Sequence, residues 1–335
     1  MRRKPCPGLV ITLGDPAGIG PEIVCRALRR GQWRKQARFL LVGRRRDVER
    51  WWPGLPEVDE KALEPRPGVW FYPGGGPEVE VLFGRPSRIG AEAALAALRA
   101  GIRLVQAGVA EVLVTAPINK EGLALAGQKG KGHTEILREE TGVKAVTMLL
   151  EGKRWRVALA TTHLPVRQVA AALRVQGLMA TIRHAWEYVA RCSGRRRPGP
   201  VAVMGLNPHA GDGGALGDEE GRLIVPVLNC LRRQGLPLVG PVPADSAFLR
   251  YPREGWSALV ALYHDQGLAA LKALEGDRVI NLTLGLPFPR VSPGHGTAYE
   301  IAGKGKARLG AMEAAIARGL ELAELRIPGG TPGRR

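Results

Sequence analysis

Short apolar runs flanked by glycine, proline and small polar residues recur along the chain, and between them lie longer stretches in which alanine and leucine return every three to four positions. The short runs have the length and punctuation of buried strands, and the longer stretches have the period of amphipathic helices. This pattern predicts strands over 9–13, 39–42, 112–114, 145–150, 157–160, 201–204, 258–262 and 279–284. It predicts helices over 89–107, 134–140, 166–173, 178–190, 218–234 and 307–324, and another that starts after His264 and ends near Lys272. The helix at 218 opens on Asp218-Glu219-Glu220, carboxylates suited to the positive end of a helix dipole. Residues 51–77, rich in Pro and Gly, are expected to be irregular, and 240–246 reads as a loop carrying Asp245. There is no internal repeat. Strands alternating with helices point to a doubly wound α/β fold, and 335 residues suit two domains or one large unit.

The polar residues that interrupt this pattern gather after predicted strands, where open α/β sheets bind their ligands. Strand 201–204 runs into GLNPHAGDGG, which sets His209 in a glycine-rich turn; 157–160 is followed by Thr161-Thr162-His163, and 258–262 by Tyr263-His264. Three of the six histidines thus occupy the same place in a strand-then-loop pattern. Three imidazoles at one sheet edge suit zinc or a similar divalent ion, with a position left for water or substrate. His133 opens a similar loop before a helix, whereas His184 falls mid-helix and reads as structural or surface.

The first strand runs into GDPAGIGPE at 14–22, where Gly14, Asp15 and Gly18 form either an anion- or cofactor-binding turn or an ordinary tight βα turn. It is not the G-x-G-x-x-G dinucleotide fingerprint. Lys120, after strand 112–114, faces either an anion or solvent. Lys272, Asn281 and Arg290 offer donors of the kind that hold phosphate, each also compatible with a plain surface position. Asp245 can orient a ligand histidine, act near a metal, or cap a turn.

The formal charge of +18, from 49 Lys and Arg against 31 Asp and Glu, raises the question of anionic partners. Much of the excess sits in Arg29-Arg30, Arg44-Arg45-Arg46, Arg195-Arg196-Arg197 and Arg334-Arg335, without stacking aromatics or a nucleic-acid motif among them. These clusters read as solvated surface with nonspecific polyanion affinity and no specific nucleic-acid site. Four scattered cysteines with no C-x-x-C argue against a disulfide framework or a thiolate zinc site and fit a reducing cytoplasm. The N-terminal apolar run is too short for a signal segment, no run is long enough to span a bilayer, and the Pro/Gly/Arg tail is expected to be disordered.

Several blocks stand in a fixed order: GDPAGIGPE (14–22), TAPINKE (115–121), GHTE (132–135), TTHLP (161–165), GLNPHAGDGG (205–214), GPVPAD (240–245), YHDQGL (263–268), and NLTLGLPFPR with HGTAYEIAGKGKA between 281 and 307. Together they resemble the 4-hydroxythreonine-4-phosphate dehydrogenase family of pyridoxal phosphate synthesis, from about residue 9 to about 318. The resemblance implies an isocitrate/isopropylmalate dehydrogenase-like three-layer α/β/α fold with two subdomains around a cleft. One subdomain is expected at 1–130 plus 285–335, and a second, carrying the histidines, at 131–284.

The implied activity is NAD- or NADP-dependent oxidation of 4-phosphohydroxy-L-threonine to 2-amino-3-oxo-4-phosphooxybutanoate, which decarboxylates to 3-amino-2-oxopropyl phosphate. By the same resemblance His163, His209 and His264 are the ligands of a divalent metal, zinc first and magnesium or cobalt next, the third reaching across from the partner subunit of a homodimer. It gives His133, Thr134, Lys272, Asn281 and Arg290 to the substrate and leaves Lys272 and Asp245 as candidate proton acceptors. Asp212 where the family often has Glu, Ser246 where Thr is common, and the absence of a phenylalanine from 273–277 are small departures. They leave open a relative acting on 4-phospho-D-threonate or 4-phospho-D-erythronate. Without the resemblance, three histidines with an open position equally suit hydrolysis by metal-bound hydroxide.

Overall fold

The apolar runs fold as strands, and the alanine- and leucine-rich stretches as helices, over the residues that the computed structural model describes: 6–59, 66–194 and 196–325. The strands are β1 (Gly8–Thr12), β2 (Arg38–Gly43), β3 (Gly68–Pro73), β4 (Val112–Thr115), β5 (Thr147–Glu151), β6 (Arg156–Leu159), β7 (Val201–Met204), β8 (Leu238–Val242), β9 (Ala258–Ala261), β10 (Ile280–Leu284) and β11 (Arg290–Pro293). The α-helices are α1 (Gly20–Arg30), α2 (Arg45–Glu49), α3 (Arg88–Gln106), α4 (Lys120–Leu125), α5 (His133–Thr141), α6 (Val169–Ala172), α7 (Val175–Cys192), α8 (Val225–Arg233), α9 (Ala244–Arg253), α10 (His264–Glu275) and α11 (Gly310–Glu324).

These elements form two compact units, Met1–Gly142 with Leu286–Arg335, and Val143–Gly285. The first crossing thus follows α5 instead of falling near residue 130. α5 belongs with α3, to which Arg99 Nε ties Glu140 at 2.7 Å.

In the first unit the strand order is β3-β2-β1-β4-β11, with parallel pairing throughout. Alternation along the strands divides the core. Val10, Leu40, Val42 and Leu113 pack with Leu98 and Ile102 of α3. Their neighbours Leu9, Val112 and Val114 face α11, where a Cβ at Gly319 would fall 2.9 Å from Leu9 Cδ2. Helices therefore cover both faces, giving three layers. β3 lies inside the stretch expected to be irregular. Its Val, Trp, Phe and Tyr are strand formers in a Pro- and Gly-rich neighbourhood that masks them in any averaged window. Within the Arg44-Arg45-Arg46 cluster Arg46 is exposed as expected and Arg45 is half-buried, but Arg44 is not solvated surface. Arg44 is 1% exposed, donates from Nε and Nη2 to Asp47 at 2.8 Å each, and also donates to Val79 O. A guanidinium that finds a bidentate carboxylate can be buried.

In the second unit the order is β10-β5-β6-β9-β7-β8. β6, β9, β7 and β8 are parallel, but β5 runs antiparallel to both of its neighbours. The physical reason is the link from β5 to β6, closed by Gly152 N donating to Trp155 O at 3.0 Å, which is far too short for a crossover. β8 and α9 occupy the segment read as a loop. Gly240 and Pro241 disguise β8, yet it lies at the edge of the order, where a missing N–H is tolerated.

Val157, Leu159, Ala202, Met204, Leu259 and Ala261 form one core face with Phe248 and Tyr251 of α9 and Leu268 and Leu271 of α10. α7 packs on β5, β6, β7 and β9, and α8 packs on α7 and β8. The helix expected at 218–234 instead begins with a π-helical turn, Glu220–Ile224, before α8.

Arg195, Arg334 and Arg335 and the tail read as disordered lie outside the described residues. Among the described residues no helix is long and apolar enough to cross a membrane.

Close seating of α10 depends on Gly267, where a Cβ would fall 2.7 Å from Val157 Cγ1 and 3.0 Å from Ala261 Cβ. Gly267→Val is expected to destabilise the protein by about 1–3 kcal/mol through overpacking, measured by urea unfolding. An unchanged midpoint would show that α10 does not sit this tightly on β6 and β9.

Candidate active site

β6, β9 and β7 are adjacent and parallel, so their C-terminal ends lie at one edge of the second unit's sheet. Pairing continues past the strands: Ala160 N donates to Ala261 O at 2.9 Å, and Thr161 Oγ1 donates to Leu262 O at 2.7 Å. This extension carries His163 and His264 together, their ring centroids 5.5 Å apart and their planes tilted by 42°. His264 Nδ1 lies 2.7 Å from Asp265 Oδ1. A carboxylate at Nδ1 favours the tautomer protonated there, which leaves the lone pair on Nε2. Gln266, which sequence reasoning passed over, ties in the third strand end. Its Oε1 accepts from Leu262 N and its Nε2 donates to Gly205 O, both at 2.7 Å.

After β7 the chain makes a left-handed turn, with positive φ at His209 (52°), Ala210 (55°), Gly211 (84°), Asp212 (42°) and Gly213 (66°). Non-glycine residues held in sparsely populated backbone regions cost about 1–3 kcal/mol each and persist only where the surroundings over-determine them. Here the surroundings are Glu220. Its carboxylate is 5% exposed and accepts from Leu206 N at 2.7 Å, Asn207 N at 2.8 Å and Asn207 Nδ2 at 2.9 Å. The sequence reading of Glu220 as a helix-dipole charge is therefore corrected: its partners lie in the preceding loop. No local signal separates an exposed helix-start glutamate from a buried one.

His209 is exposed, and among the described residues of the chain no three His, Cys, Asp or Glu side chains gather as a metal site. One chain brings together two of the three expected histidines, His163 and His264, the latter beside its own chain's His163. Asp245 is exposed in the first turn of α9, where Oδ1 accepts from Ser246 N at 2.9 Å, and α9 packs against the His209 turn. Lys272 is exposed on α10, roughly 12 Å along the axis from His264 at 1.5 Å per residue. Asn281 is half-buried on β10 opposite Leu150. His184, with Nδ1 2.9 Å from Thr147 Oγ1, has a structural place.

The first unit holds the other expected substrate residues. Arg290 is 2% exposed at the start of β11, its Nε and Nη2 donating to Thr115 Oγ1 at 3.1 and 2.6 Å. Burial pushes its pKa down to about 9, so the guanidinium remains charged at neutral pH. His133, the first residue of α5, is half-buried overall, but its Nε2 is fully buried with no hydrogen-bond partner. Burial first, and the Arg290 charge second, hold its pKa well below the usual 6.5. Thr134 follows, half-buried, and Lys120 lies nearby, its Cε 3.0 Å from where a Gly132 Cβ would stand.

The turn at 14–18 is occupied by the chain itself. Asp15 N donates to Pro117 O, Gly18 N to Asp15 O and Ile19 N to Thr297 O, at 2.9 to 3.0 Å. The buried Asp15 carboxylate accepts from Ala17 N at 2.8 Å and from the Tyr299 hydroxyl at 2.6 Å. Asp15 and Gly18 thus spend their N–H groups inside a tight βα turn, one of the two readings that the sequence allowed for Gly14, Asp15 and Gly18.

Residues 61–318 match the family model described as pyridoxal phosphate biosynthetic protein PdxA. A 4-hydroxythreonine-4-phosphate dehydrogenase of Geobacter metallireducens is 38% identical, across 97% of this chain and 98% of its own length. A D-threonate 4-phosphate dehydrogenase of Bordetella bronchiseptica is 38% identical, across 95% and 93%. The crystal structure of 4-hydroxythreonine-4-phosphate dehydrogenase from Klebsiella pneumoniae matches with a TM-score of 0.83 at 32% identity, covering 96% of this chain and 100% of that one.

The depressed His133 pKa has a thermodynamic consequence. Below about pH 6.5 the unfolded chain protonates this imidazole while the folded chain resists, so stability is full above that pH and falls as pH drops toward the folded value. His133→Asn is expected to shrink the loss of unfolding free energy between pH 7.5 and 5.5, leaving the part due to His184, whose pKa burial also lowers. An identical pH dependence in variant and wild type would contradict a neutral, buried His133.

Proposed function

The chain belongs to the family of the pyridoxal phosphate biosynthetic protein PdxA, and on that premise we propose that it is a metal-dependent 4-hydroxythreonine-4-phosphate dehydrogenase that oxidises the C3 hydroxyl of 4-phosphohydroxy-L-threonine with NAD or NADP. The observation that carries the reading is the pair of imidazoles, His163 and His264, at laced strand ends, with Asp265 on His264 Nδ1. Two close imidazoles, one backed by a carboxylate, fit a borderline-soft divalent ion, zinc before cobalt or magnesium. His209 is then the ligand that the partner subunit of a homodimer contributes. Its exposure supports this, as do the exposed Leu216 in the same loop, Leu249 on α9, and Leu164 and Val166 beside His163: apolar surface that a second copy can cover. None of the four cysteines is in a disulfide, as suits a cytoplasmic enzyme.

When bound, a divalent ion supplies positive charge that makes the C3 hydroxyl easier to deprotonate. NAD or NADP supplies the hydride acceptor. The oxidation breaks the C3–H and O–H bonds and forms the carbonyl; the hydride leaves with its electron pair, and the proton passes to Lys272 or Asp245. The β-keto acid so formed loses CO2 to give 3-amino-2-oxopropyl phosphate.

Arg290 and His133 take the phosphate. A charged guanidinium in a low-dielectric setting gains most from an anion, and the unpartnered Nε2 of His133 offers a hydrogen bond to a phosphate oxygen. Thr134, Lys272 and Asn281 complete the substrate set. Binding the remote phosphate fixes the reacting carbon, which is how remote contacts lower a barrier.

The D-threonate 4-phosphate dehydrogenase among the relatives favours one second reading, the same chemistry on 4-phospho-D-threonate. Reduced-nicotinamide formation with each substrate, with zinc and after chelation, tests both. Turnover of 4-phosphohydroxy-L-threonine that chelation abolishes is expected, preference for the threonate selects the second reading, and no reduction with either sinks both. Arg290→Met is expected to raise KM for the phosphorylated substrate by about 10- to 100-fold, the worth of a hydrogen bond to a charged group. An unchanged KM would remove Arg290 from phosphate binding.

A further inference from the structure

The glycines around His209 fall into two sets. A Cβ at Gly211 would stand 2.7 Å from Glu220 Oε2, one at Gly217 would collide with Asn207 Nδ2, and one at Gly205 would stand 2.6 Å from Ala210 Cα and 3.1 Å from Glu220 Oε1. At Gly213 and Gly214 a Cβ would meet nothing. The second set serves the left-handed path of the turn, with φ of 66° and 103°. The first set makes room for a side-chain clasp: the Glu220 carboxylate against the N–H groups of Leu206 and Asn207 and against the Asn207 amide, which also donates to Glu219 Oε2 at 2.8 Å. Glu220 reaches this position from a π-helical turn that begins on it, a geometry that recurs at functional sites.

Gln266 holds the other side of the same strand end, through Gly205 O. The backbone entering His209 is therefore gripped on its carbonyl side by Gln266 and on its N–H side by Glu220. Only Pro208 separates the clasped Asn207 from the histidine.

We propose that Glu220 is a positioning residue: its clasp on Leu206 and Asn207 sets the left-handed turn that aims His209, and thereby tunes the metal affinity of the site. The inference rests on His209 being a metal ligand, as argued above. The Glu220 carboxylate is engaged by Leu206 and Asn207, so its influence on the metal passes through His209. It acts by removing the alternative conformations from which His209 would have to be recovered at each binding event.

The test uses the full-length protein, stripped of metal and titrated with Co2+, in wild type, Glu220→Gln, Asn207→Ala and His209→Ala. Three quantities are read: hydrogen exchange at the Leu206 and Asn207 amides before metal is added, Co2+ affinity from the visible absorption of the bound ion, and thermal midpoint. In Glu220→Gln both amides are expected to exchange faster and Co2+ affinity to fall by about 10- to 100-fold, the usual scale for groups that orient metal ligands, at a temperature well below the midpoint of every variant. Asn207→Ala is expected to move both readouts the same way by less. It decides the matter if Glu220→Gln does not fold.

His209→Ala is expected to lose Co2+ affinity while the two amides stay protected, which separates ligand from clasp. If Glu220→Gln loosens the amides or lowers the midpoint but binds Co2+ with wild-type affinity and spectrum, the clasp is structural only and the proposal is overturned. If His209→Ala keeps wild-type affinity, the ligand assignment itself fails, and the inference with it.

Discussion

Hydrogen bonding beyond the ends of three parallel strands is the constraint on which the histidine-bearing edge depends. Strand pairing alone stops at Leu159 and Ala261, short of either histidine. Thr161 extends the ladder by donating to Leu262 O, and Gln266 then links Leu262 N to Gly205 O, so that the exits of β6, β9 and β7 are laced in sequence. These groups sit where a sheet would otherwise leave its last N–H and C=O groups to water. Satisfying them inside the protein gives loops that carry exposed imidazoles a rigid base, which a ligand site needs.

The two units use opposite electrostatic devices. In the second, imidazoles remain accessible and a carboxylate, Asp265, backs one of them, so the local field favours a cation. In the first, a guanidinium is buried beside an imidazole that cannot easily protonate, so the field favours an anion. Burial lowers the pKa of Arg290 yet leaves it charged at neutral pH, and it disfavours a second charge on His133.

Much of the fold was legible because it depends on local periodicity. The runs at 9–13, 39–42, 201–204 and 258–262 became strands within a residue or two of the expected ends, and 89–107 became α3. Three of the missed elements have one cause in common: β3, β8 and α9 lie among prolines and glycines that signal turns when read locally, and they are strands or helices only because a neighbouring element pairs or packs with them. The antiparallel β5 is a related case, set by the shortness of its link to β6 and not by its own composition. Arg44 shows the same limit for charge, since an arginine run looks solvated until a carboxylate three residues on closes over it.

By itself the sequence determined the α/β class, the placing of three histidines after three strands, and the family, because these rest on residue types, spacing and ordered motifs within short windows. Only the tertiary structure decided which groups meet. It joined His163 to His264 and left His209 exposed, buried Arg290 against Thr115 and beside His133, occupied the 14–18 turn with Asp15 and Tyr299, and turned Glu220 from a helix-start charge into a clasp on the preceding loop. Each of these is a contact or a burial between residues distant in sequence or folded back through a loop. Their energies depend on desolvation and on who supplies the partner, and neither quantity exists until the chain has packed.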